Sequence, residues 1–308
     1  MNEKEATGKE KGKTKRKRKR EKIGIIGVGN IGASILRGLL TAEPTSKIFI
    51  TDAEKEKRRF FDADLGTDPR VVVCETNEKV AENAEVTILA VKPNDVPVVV
   101  KEIAPFMNED KILISVAAGV PTAAIEETLK EANARGRKVI RVMPNIGARV
   151  REAVCAICKG KYADEADEEI AKEILSAIGT VHSVNESDMD VITGLSGSGI
   201  AFVAAVIDAM ADGGVYEGLP RELSLTIAAQ TAIGAAKMVL AGEKPSGIKV
   251  MTASPGGTTI RGLYAMESGA VKAAMMEAVI EATRRATEIS KQGSTKQENK
   301  LLTQINAD

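Results

Sequence analysis

Three glycines near the start of the chain, Gly27, Gly29 and Gly32, have the spacing of a phosphate-binding loop. An apolar segment, 22–26, comes before them and a helical pattern follows, which is the context that this fingerprint requires. In such a loop the first glycine permits a tight turn, the second lets a pyrophosphate approach the backbone, and the third lets helix and strand pack closely. The free N–H groups of the helix then face the negative charge. The pattern predicts a dinucleotide site, and an ordinary strand–turn–helix connection is the less favoured interpretation.

An acidic residue, Asp52, lies twenty residues after Gly32, at the end of the second predicted strand. An acid in this position hydrogen-bonds the ribose hydroxyls of NAD and disfavours the 2′-phosphate of NADP. Four bases follow that could reach a 2′-phosphate or form the solvated face of a helix: Lys55, Lys57, Arg58 and Arg59. The residues therefore predict NADPH or NADH as cofactor, with a slight preference for NAD from Asp52.

A second glycine-rich loop, Ser254-Pro-Gly-Gly-Thr-Thr259, precedes a helical pattern over 260–266. Two glycines and two hydroxyl residues at the start of a helix can form a nest of N–H donors, which suits a carboxylate. Ordinary capping of the helix explains the same residues equally well. The spacing leaves both interpretations open.

Other polar residues carry weaker signals. Asp208 and Asp212 share one face of a predicted helix and could hold a substrate amine, although solvated charges are the favoured explanation. The single histidine, His182, excludes a histidine-based metal cluster, and we interpret it as an incidental linker residue. We predict no metal site. The cluster Ser196-Gly-Ser-Gly199 is interpreted as a close helix contact.

Cys155 and Cys158 have the spacing of a redox or metal pair, but they lie in a short apolar run that is typical of a strand. On a strand, residues i and i+3 point to opposite faces roughly 10 Å apart, which is too far for a disulfide. We therefore predict structural thiols and a reducing, cytoplasmic location.

The chain has 308 residues, of which 44% are hydrophobic, and its length suggests two domains. Strands are predicted near 22–26, 47–51, 70–74, 85–91, 112–116, 138–142, 153–158 and 180–184. Helices are predicted between them, near 31–41, 54–65, 95–104, 121–134 and 164–177. This alternation predicts an α/β domain of the Rossmann type over 22–184, with helices on both faces of a parallel sheet.

The chain changes character after residue 184. Long Ala-rich helical patterns cover 188–216, 220–241 and 270–291, without strand candidates. They predict an all-α C-terminal domain over 185–291 that is suited to substrate binding and dimerisation. A polar, frayed tail is predicted over 292–308. No signal peptide or membrane span is expected, because no apolar run approaches the roughly 20 residues of a spanning helix.

The first 21 residues predict a basic, disordered tail. Residues 1–20 carry ten Lys or Arg and three Glu, whereas the rest of the chain carries 33 Lys or Arg and 40 acids. The run Lys15–Arg20 could bind nucleic acid or an anionic surface. Nothing downstream resembles a nucleic-acid module, so we favour a solvated tail and expect no specific nucleic-acid partner.

Several motifs occur in a recognisable order over roughly residues 22–290. They are Ala90-Val-Lys-Pro93, Ala117-Ala-Gly119, Met143-Pro-Asn145, Gly194–Gly199, Asp208–Val215, Gly218-Leu-Pro-Arg221 and, most specific of all, Thr252–Leu263. Together they resemble the pyrroline-5-carboxylate reductase family. The resemblance implies hydride transfer from NADPH or NADH to 1-pyrroline-5-carboxylate, which gives L-proline in the last step of proline biosynthesis. It also implies homodimers with interlocked helical domains, often assembled into rings.

The resemblance also implies roles for individual residues. Besides Asp52, the residues expected to line the cofactor are Ile26, Gly27, Val28, Gly29, Asn30, Ile31, Gly32, Asn77, Ala90, Val91, Lys92, Pro93, Val116, Ala117 and Ala118, with Met143–Asn145 near the nicotinamide. The residues expected to hold the substrate carboxylate and ring nitrogen are Ser254, Gly256, Gly257, Thr258 and Thr259. We take Thr259 as the catalytic residue, whose hydroxyl contacts the ring nitrogen and helps to manage its proton.

The chemistry is consistent with an imine substrate. A protonated imine accepts hydride without a strong enzyme acid, whereas a carbonyl needs a donor for its developing oxyanion. Three residues depart from the family pattern: Ile200, Phe202 and Val250. The alternatives are a related imine reductase, a β-hydroxyacid-type dehydrogenase, or a non-catalytic dinucleotide-binding regulator. The absence of Lys from 196–211 counts against the dehydrogenase.

Overall fold

The computed structural model describes residues 22–42, 47–58 and 68–305, with side chains up to residue 291. Its strands form one sheet. In chain order they are β1 (Lys22–Ile26), β2 (Lys47–Thr51), β3 (Val71–Val73), β4 (Val86–Leu89), β5 (Ile112–Ser115), β6 (Lys138–Met143), β7 (Ala153–Lys159) and β8 (Gly179–Ser183). Their order across the sheet is β3-β2-β1-β4-β5-β6-β7-β8, and neighbours are parallel except β6 and β7. Each predicted strand is present, with ends within two residues of the prediction.

Helices connect the strands and cover the sheet. They are α1 (Asn30–Thr41), α2 (Asn77–Asn83), α3 (Val96–Ile103), α4 (Thr122–Glu131) and α5 (Glu165–Leu175). The predicted helix near 54–65 is helical over 55–58, and its residues 59–65 lie outside the described residues. The sequence analysis does not predict α2, because its seven residues bury only Val80 and Ala81 and so show no helical period.

The central strands are buried on both faces. All four residues of β4 and of β5 are buried, as expected for parallel strands between two helical layers. On one side Ile25 packs with Leu36 of α1 and Leu175 of α5. On the other side Leu89 packs with Val100 of α3. Burial on both faces fixes the register of the strands, and therefore the positions of the loops that leave their carboxyl ends.

Two of the three cysteines and the histidine lie on the last two strands. Cys155 and Cys158 are buried free thiols in β7, and burial raises the pKa of each to about 12. The structural interpretation of these thiols is confirmed. His182 lies in β8, opposite Ala156 of β7, and not in a linker, so that expectation is wrong. Its exposed ring lies near the Thr180 hydroxyl.

Each element described after β8 is helical. The elements are α6 (Met189–Ile192), a π-helical turn (Thr193–Gly197), α7 (Gly199–Tyr216), α8 (Arg221–Leu240), α9 (Pro245–Thr252), α10 (Thr258–Ser268) and α11 (Val271–Ile305). The sequence analysis does not predict α9. The fraying predicted from 292 onward is wrong as far as Ile305, because Lys, Gln, Glu and Leu in this segment are good helix formers. A domain boundary at 184 stays a prediction.

Two segments of this helical half are long and apolar. By length and composition alone, Glu186–Tyr216 and Arg221–Leu240 could each cross a membrane, with mean hydropathies of 1.7 and 1.4. The expectation that no apolar run approaches the length of a membrane-spanning helix is therefore wrong. In a single chain, only 6% of the most apolar 18-residue stretch of the first segment is buried, and 11% of that of the second. Membrane spans share these properties with helices that a protein partner covers.

A polar junction fastens the helical half to the sheet. Glu186 accepts hydrogen bonds from the backbone N–H (2.8 Å) and hydroxyl (2.7 Å) of Thr122, at the start of α4. The same carboxylate pairs at 3.2 Å with the buried guanidinium of Arg141 in β6. Farther along the chain, Ser290 of α11 donates to Asp190 of α6 at 2.8 Å. Glu186 thus holds the segment after β8 to α4 and β6, and the Ser290–Asp190 bond holds α11 to α6.

Candidate functional site

The predicted cofactor residues collect at one edge of the sheet. The glycine loop follows β1, Asp52 follows β2, Ala90–Pro93 follow β4, Val116–Ala118 follow β5 and Asn145 follows β6. The strand order reverses between β1 and β4, since β2 lies on the far side of β1. Ligands of open α/β sheets bind outside the carboxyl ends of the strands at such a reversal. The fold therefore brings these residues together.

The glycine loop closes tightly on the end of β4. Gly27 has φ +92°, and a Cβ atom there would lie 2.7 Å from the Ala90 carbonyl oxygen. A Cβ at Gly32 would overlap the Gly27 carbonyl oxygen and lie 3.2 Å from the Ala90 Cβ. Both positions therefore require glycine, for the turn and for helix packing respectively.

Gly29 differs from its neighbours because it faces open space. It is the N-cap of α1, and no described side chain caps the helix there. A Cβ added to Gly29 would meet no described atom within 4 Å, and the first turn of α1 holds no acid. The N–H groups of the first turn therefore have no side-chain acceptor among the described residues. A dinucleotide pyrophosphate fits this terminus.

Asp52 has partners that its position in the sequence does not reveal. Its carboxylate accepts the backbone N–H of Val28 at 2.8 Å and that of Glu54 at 3.0 Å. Arg58 donates to its carbonyl oxygen. Asp52 therefore fastens the glycine loop to the end of β2. Each carboxylate oxygen accepts one N–H and keeps a further acceptor position, so these bonds leave Asp52 able to accept a ribose hydroxyl as well.

A cavity of about 520 Å³ lies beside the glycine loop and along α1. Four basic residues line it: Arg37, Lys57, Arg149 and Arg151. Among the bases considered for a 2′-phosphate, Lys57 lines this cavity, where Glu54 pairs with it at 2.6 Å. Lys55 is exposed, Arg58 points back to Asp52, and Arg59 lies outside the described residues. Lys57 is therefore the best placed of these bases to meet an anion at the loop.

Two asparagines predicted to line the cofactor have internal partners. Asn77, the first residue of α2, donates to Glu102 at 2.7 Å. Asn145 donates to Ser196 and accepts from two backbone N–H groups. Both residues lie near the carboxyl edge of the sheet, but their side chains are hydrogen-bonded to other residues of the protein.

The second loop has the same construction as the first. Gly257 is the N-cap of α10, and neither a side-chain cap nor a first-turn acid is described there. Gly256 has φ +70°, and the Gly257 N–H donates to the Ser254 carbonyl at 3.0 Å, which closes the turn. Ser254 and Thr258 are exposed and Thr259 is half-buried. Side-chain capping, one of the two interpretations of this loop, is therefore absent from the described contacts, and its N–H groups face outward.

Within a single chain, no described hydrogen bond connects the glycine loop, 27–32, with the second loop, 254–259. The helices that flank the second loop pack on α8 and α11. Among the described residues, no hydrogen bond or ion pair links 254–259 to the sheet or to the loops at its carboxyl edge. Within one chain, the predicted carboxylate site and the predicted cofactor site are thus not connected by any described hydrogen bond or ion pair.

Arg221 forms ion pairs with the two acidic residues considered on α7, Asp208 and Asp212. Its guanidinium contacts the carboxylates of both Asp208 and Asp212. The pair thus ties α7 to the start of α8. Both side chains are also exposed, at 61% and 71%, so the favoured interpretation of these residues as solvated charges is confirmed. Their pairing with Arg221 further disfavours the alternative that they hold a substrate amine.

The sequence analysis missed two polar contacts of the site. Glu186 joins α4 and β6, and Ser196 joins the π-helical turn to Asn145. Each pairs with residues at least 45 positions away. Such contacts have no periodic signature, because only the folded chain brings the partners together.

Comparisons with known families agree with this geometry. Residues 186–289 match the family model described as pyrroline-5-carboxylate reductase dimerisation. Residues 22–119 match the model described as NADP oxidoreductase, coenzyme F420-dependent. The two matches divide between the helical half and the sheet.

Curated relatives cover nearly all of the described chain. A pyrroline-5-carboxylate reductase from Methanosarcina acetivorans is 43% identical over 274 residues, covering 88% of this chain and 98% of the relative. The Arabidopsis thaliana protein of the same name is 39% identical, covering 87% and 95%.

Solved structures agree in fold. A pyrroline-5-carboxylate reductase from Coxiella burnetii is 30% identical, with a TM-score of 0.80, covering 88% of this chain and 98% of that one. A pyrroline carboxylate reductase from Plasmodium falciparum, with NADP bound, is 29% identical, with a TM-score of 0.76, covering 88% and 99%.

The geometry at Gly29 predicts a variant that folds but does not bind cofactor. In Gly29→Asp the new carboxylate caps α1 and takes the N–H groups that a pyrophosphate needs. We expect an unchanged or higher Tm, with cofactor affinity lower by at least about tenfold because two negative charges then compete for one helix terminus. Thermal melting and cofactor fluorescence titration measure the two quantities. Lys244→Asp, at the N-cap of α9, is the matched control and should keep its affinity; equal loss in both variants contradicts the assignment.

Proposed function

This chain belongs to the pyrroline-5-carboxylate reductase family, and we propose how its residues carry out the family's reaction. It reduces 1-pyrroline-5-carboxylate to L-proline by hydride transfer from NADPH or NADH, the final step of proline biosynthesis. We assign residues 22–184 to a dinucleotide-binding domain and residues 185–291 to a substrate and dimerisation domain. The observation that carries the proposal is the pair of helix N-termini at Gly29 and Gly257, each of which has a glycine N-cap, no described side-chain cap and no acid in the first turn.

The first N-terminus holds the cofactor. The pyrophosphate lies on the N–H groups that follow Gly29, and the rest of the cofactor extends along the carboxyl edge past Ala90–Pro93 and Val116–Ala118. The nicotinamide end then lies near the end of β6. The bound cofactor supplies the hydride. The protein orients the cofactor so that the hydride donor faces the substrate.

The second N-terminus holds the substrate. The N–H groups around Gly256 and Gly257 bind the substrate carboxylate, assisted by the hydroxyls of Ser254 and Thr258. The Thr259 hydroxyl contacts the ring nitrogen, where it stabilises the proton of the iminium and then of the product amine. The carbon that accepts the hydride is already electron-poor, so orientation and charge complementarity are sufficient and no strong acid is needed.

A second copy of the chain completes the site. Within one chain the two loops have no described hydrogen bond to one another, while α7 and α8 leave broad apolar faces uncovered, with Val203, Met210 and Leu223 among the exposed residues. A homodimer covers these faces and brings the substrate loop of one copy to the cofactor edge of the other. This arrangement favours a protein partner over a membrane as the cover of α7 and α8. Rings of dimers are the larger assembly that we propose.

The location and remaining partners follow from the same residues. Buried free thiols fit the reducing cytoplasm. We propose no specific nucleic-acid partner for the basic residues 1–21.

Two alternatives remain testable against this function. A related imine reductase or β-hydroxyacid-type dehydrogenase turns over a different substrate, and a regulator binds cofactor without turnover. Oxidation of NADPH or NADH in the presence of pyrroline-5-carboxylate separates the proposed function from both alternatives.

The first prediction of the proposal concerns Thr259. We expect wild-type protein to oxidise the cofactor only when pyrroline-5-carboxylate is present, and Thr259→Ala to lower kcat by about 10²-fold because a positioned proton partner is lost. Thr252→Ala is the matched control, since that hydroxyl bonds helix carbonyls of Ile248 and Lys249. Full turnover in Thr259→Ala would contradict the catalytic role of Thr259. Absence of turnover in the wild type would contradict the proposed function itself.

The shared site predicts complementation between two inactive variants. Gly29→Asp lacks the cofactor end and Thr259→Ala lacks the substrate end, so a heterodimer holds one intact site if the loops come from different copies. Co-expression with two different tags and sequential purification isolates that heterodimer. We expect about half of the wild-type activity, since one of two symmetry-related sites is intact. No recovery means that each chain builds its own site.

The basic cavity predicts which residue recognises a 2′-phosphate. We expect Lys57→Ala to raise the KM for NADPH by about tenfold and to leave the KM for NADH unchanged, because one charge-assisted hydrogen bond is lost. Steady-state kinetics with both cofactors measures the effect. Lys55→Ala, which removes an exposed charge two residues away, is the control. Equal changes for the two cofactors rule out this role.

A further inference from the structure

Asn145 uses its whole side chain within the protein. Its amide nitrogen donates to the Ser196 hydroxyl at 2.9 Å and to the Ser196 carbonyl at 3.3 Å. Its amide oxygen accepts the N–H groups of Gly147 at 3.1 Å and Val154 at 3.4 Å. A primary amide has two donors and two acceptor positions, so all four are occupied. Asn145 is also 6% exposed, which leaves little of it for a ligand to contact.

Its partner Ser196 lies in an unusual helical turn. Residues Thr193–Gly197 form a π-helical turn, closed by the bond from the Ser198 N–H to the Thr193 carbonyl at 2.9 Å. Such single turns insert an extra residue into a helix and occur frequently at functional sites. The insertion changes the direction of the residues within the turn relative to the helices on either side. Here it accompanies the contact of Ser196 with the end of β6.

The turn is wedged between the sheet and the last helix. A Cβ at Gly197 would lie 3.1 Å from the terminal methyl carbon of Met143, at the end of β6. A Cβ at Gly194 would lie 2.7 Å from the backbone nitrogen of Thr283 in α11. Glycine at both positions lets the turn approach β6 on one side and α11 on the other. The Asn145–Ser196 bonds are the polar part of this contact.

We propose that Asn145 is a positioning residue that acts through Ser196 and is not a cofactor ligand. The pair, together with the π-helical turn, sets the distance between the carboxyl edge that holds the nicotinamide and the helical half that carries the substrate machinery. This inference rests on the proposed function, because it concerns how that site is aligned. Misplacement of reacting groups by about 1 Å can cost about 10²-fold in rate.

Variants of the two partners separate alignment from cofactor binding. Asn145→Asp keeps the acceptors for Gly147 and Val154 but removes both donors to Ser196. Ser196→Ala removes the hydroxyl acceptor and leaves the backbone of the turn. We expect kcat to fall by about 10- to 100-fold in Asn145→Asp and by less in Ser196→Ala, with cofactor Kd within about threefold of wild type in both. The double variant should be no slower than Asn145→Asp alone, because both substitutions break one contact.

Two further variants complete the experiment. Ser196→Thr keeps a hydroxyl and should retain most of the activity, whereas a purely steric role for Ser196 predicts a loss. Ser198→Ala is the matched control, because the Ser198 hydroxyl has no hydrogen bond within the described residues. Thermal melting confirms that each variant is folded.

Two results overturn the proposal. A rise of tenfold or more in cofactor Kd for Asn145→Asp, with kcat unchanged, makes Asn145 a cofactor ligand. If the kcat losses of Asn145→Asp and Ser196→Ala multiply in the double variant, the two residues act independently. If wild-type protein shows no turnover of pyrroline-5-carboxylate, the proposed function fails, and the Kd measurements still decide whether Asn145 binds cofactor.

Discussion

The site depends on backbone N–H groups that the protein itself leaves without a side-chain acceptor. The first turn of a helix has N–H donors with no partner inside the helix. Side chains bind such donors at three described helices: Thr76 caps α2, Asp164 caps α5, and Glu186 reaches across the fold to α4. Other helices, α8 and α9 among them, begin without a side-chain cap, but their N-cap residue is not a glycine. At α1 and α10 the N-cap is a glycine, and the described residues offer no side-chain cap. These two termini attract anions, and the substrates of the reaction carry a pyrophosphate and a carboxylate.

The sheet determines where the first of these termini lies. Parallel strands buried on both faces hold β1 and β4 in fixed register, and the reversal of strand order between them opens the crevice into which Gly29 faces. The approach of Gly27 to Ala90 leaves no room for a side chain. Asp52 then ties the loop to β2 through the Val28 N–H. The acid predicted to bind the ribose thus also holds the glycine loop in place.

The helical half raises a different constraint. Its two longest apolar segments are almost entirely uncovered in a single chain. Large apolar surfaces of this kind mark an interface. The match of residues 186–289 to a dimerisation model supports an oligomer as the cover of these faces. In the homodimer that we propose, association covers the helices and also brings the substrate loop of one copy to the cofactor edge of the other.

The sequence by itself determined the elements and the two loops. Apolar runs and helical periods are local, so the strands, α1, α7 and α8 were predictable, as were the glycines at fixed spacing. It did not predict α2, α9 or the length of α11, because short or polar helices lack an apolar period. Only the tertiary structure decided which groups the polar side chains contact: Asp52 holds Val28, Arg221 holds Asp208 and Asp212, and Asn145 holds Ser196. These contacts join residues from 9 to 51 positions apart, and their geometry follows from the packing of whole elements, which no local pattern encodes.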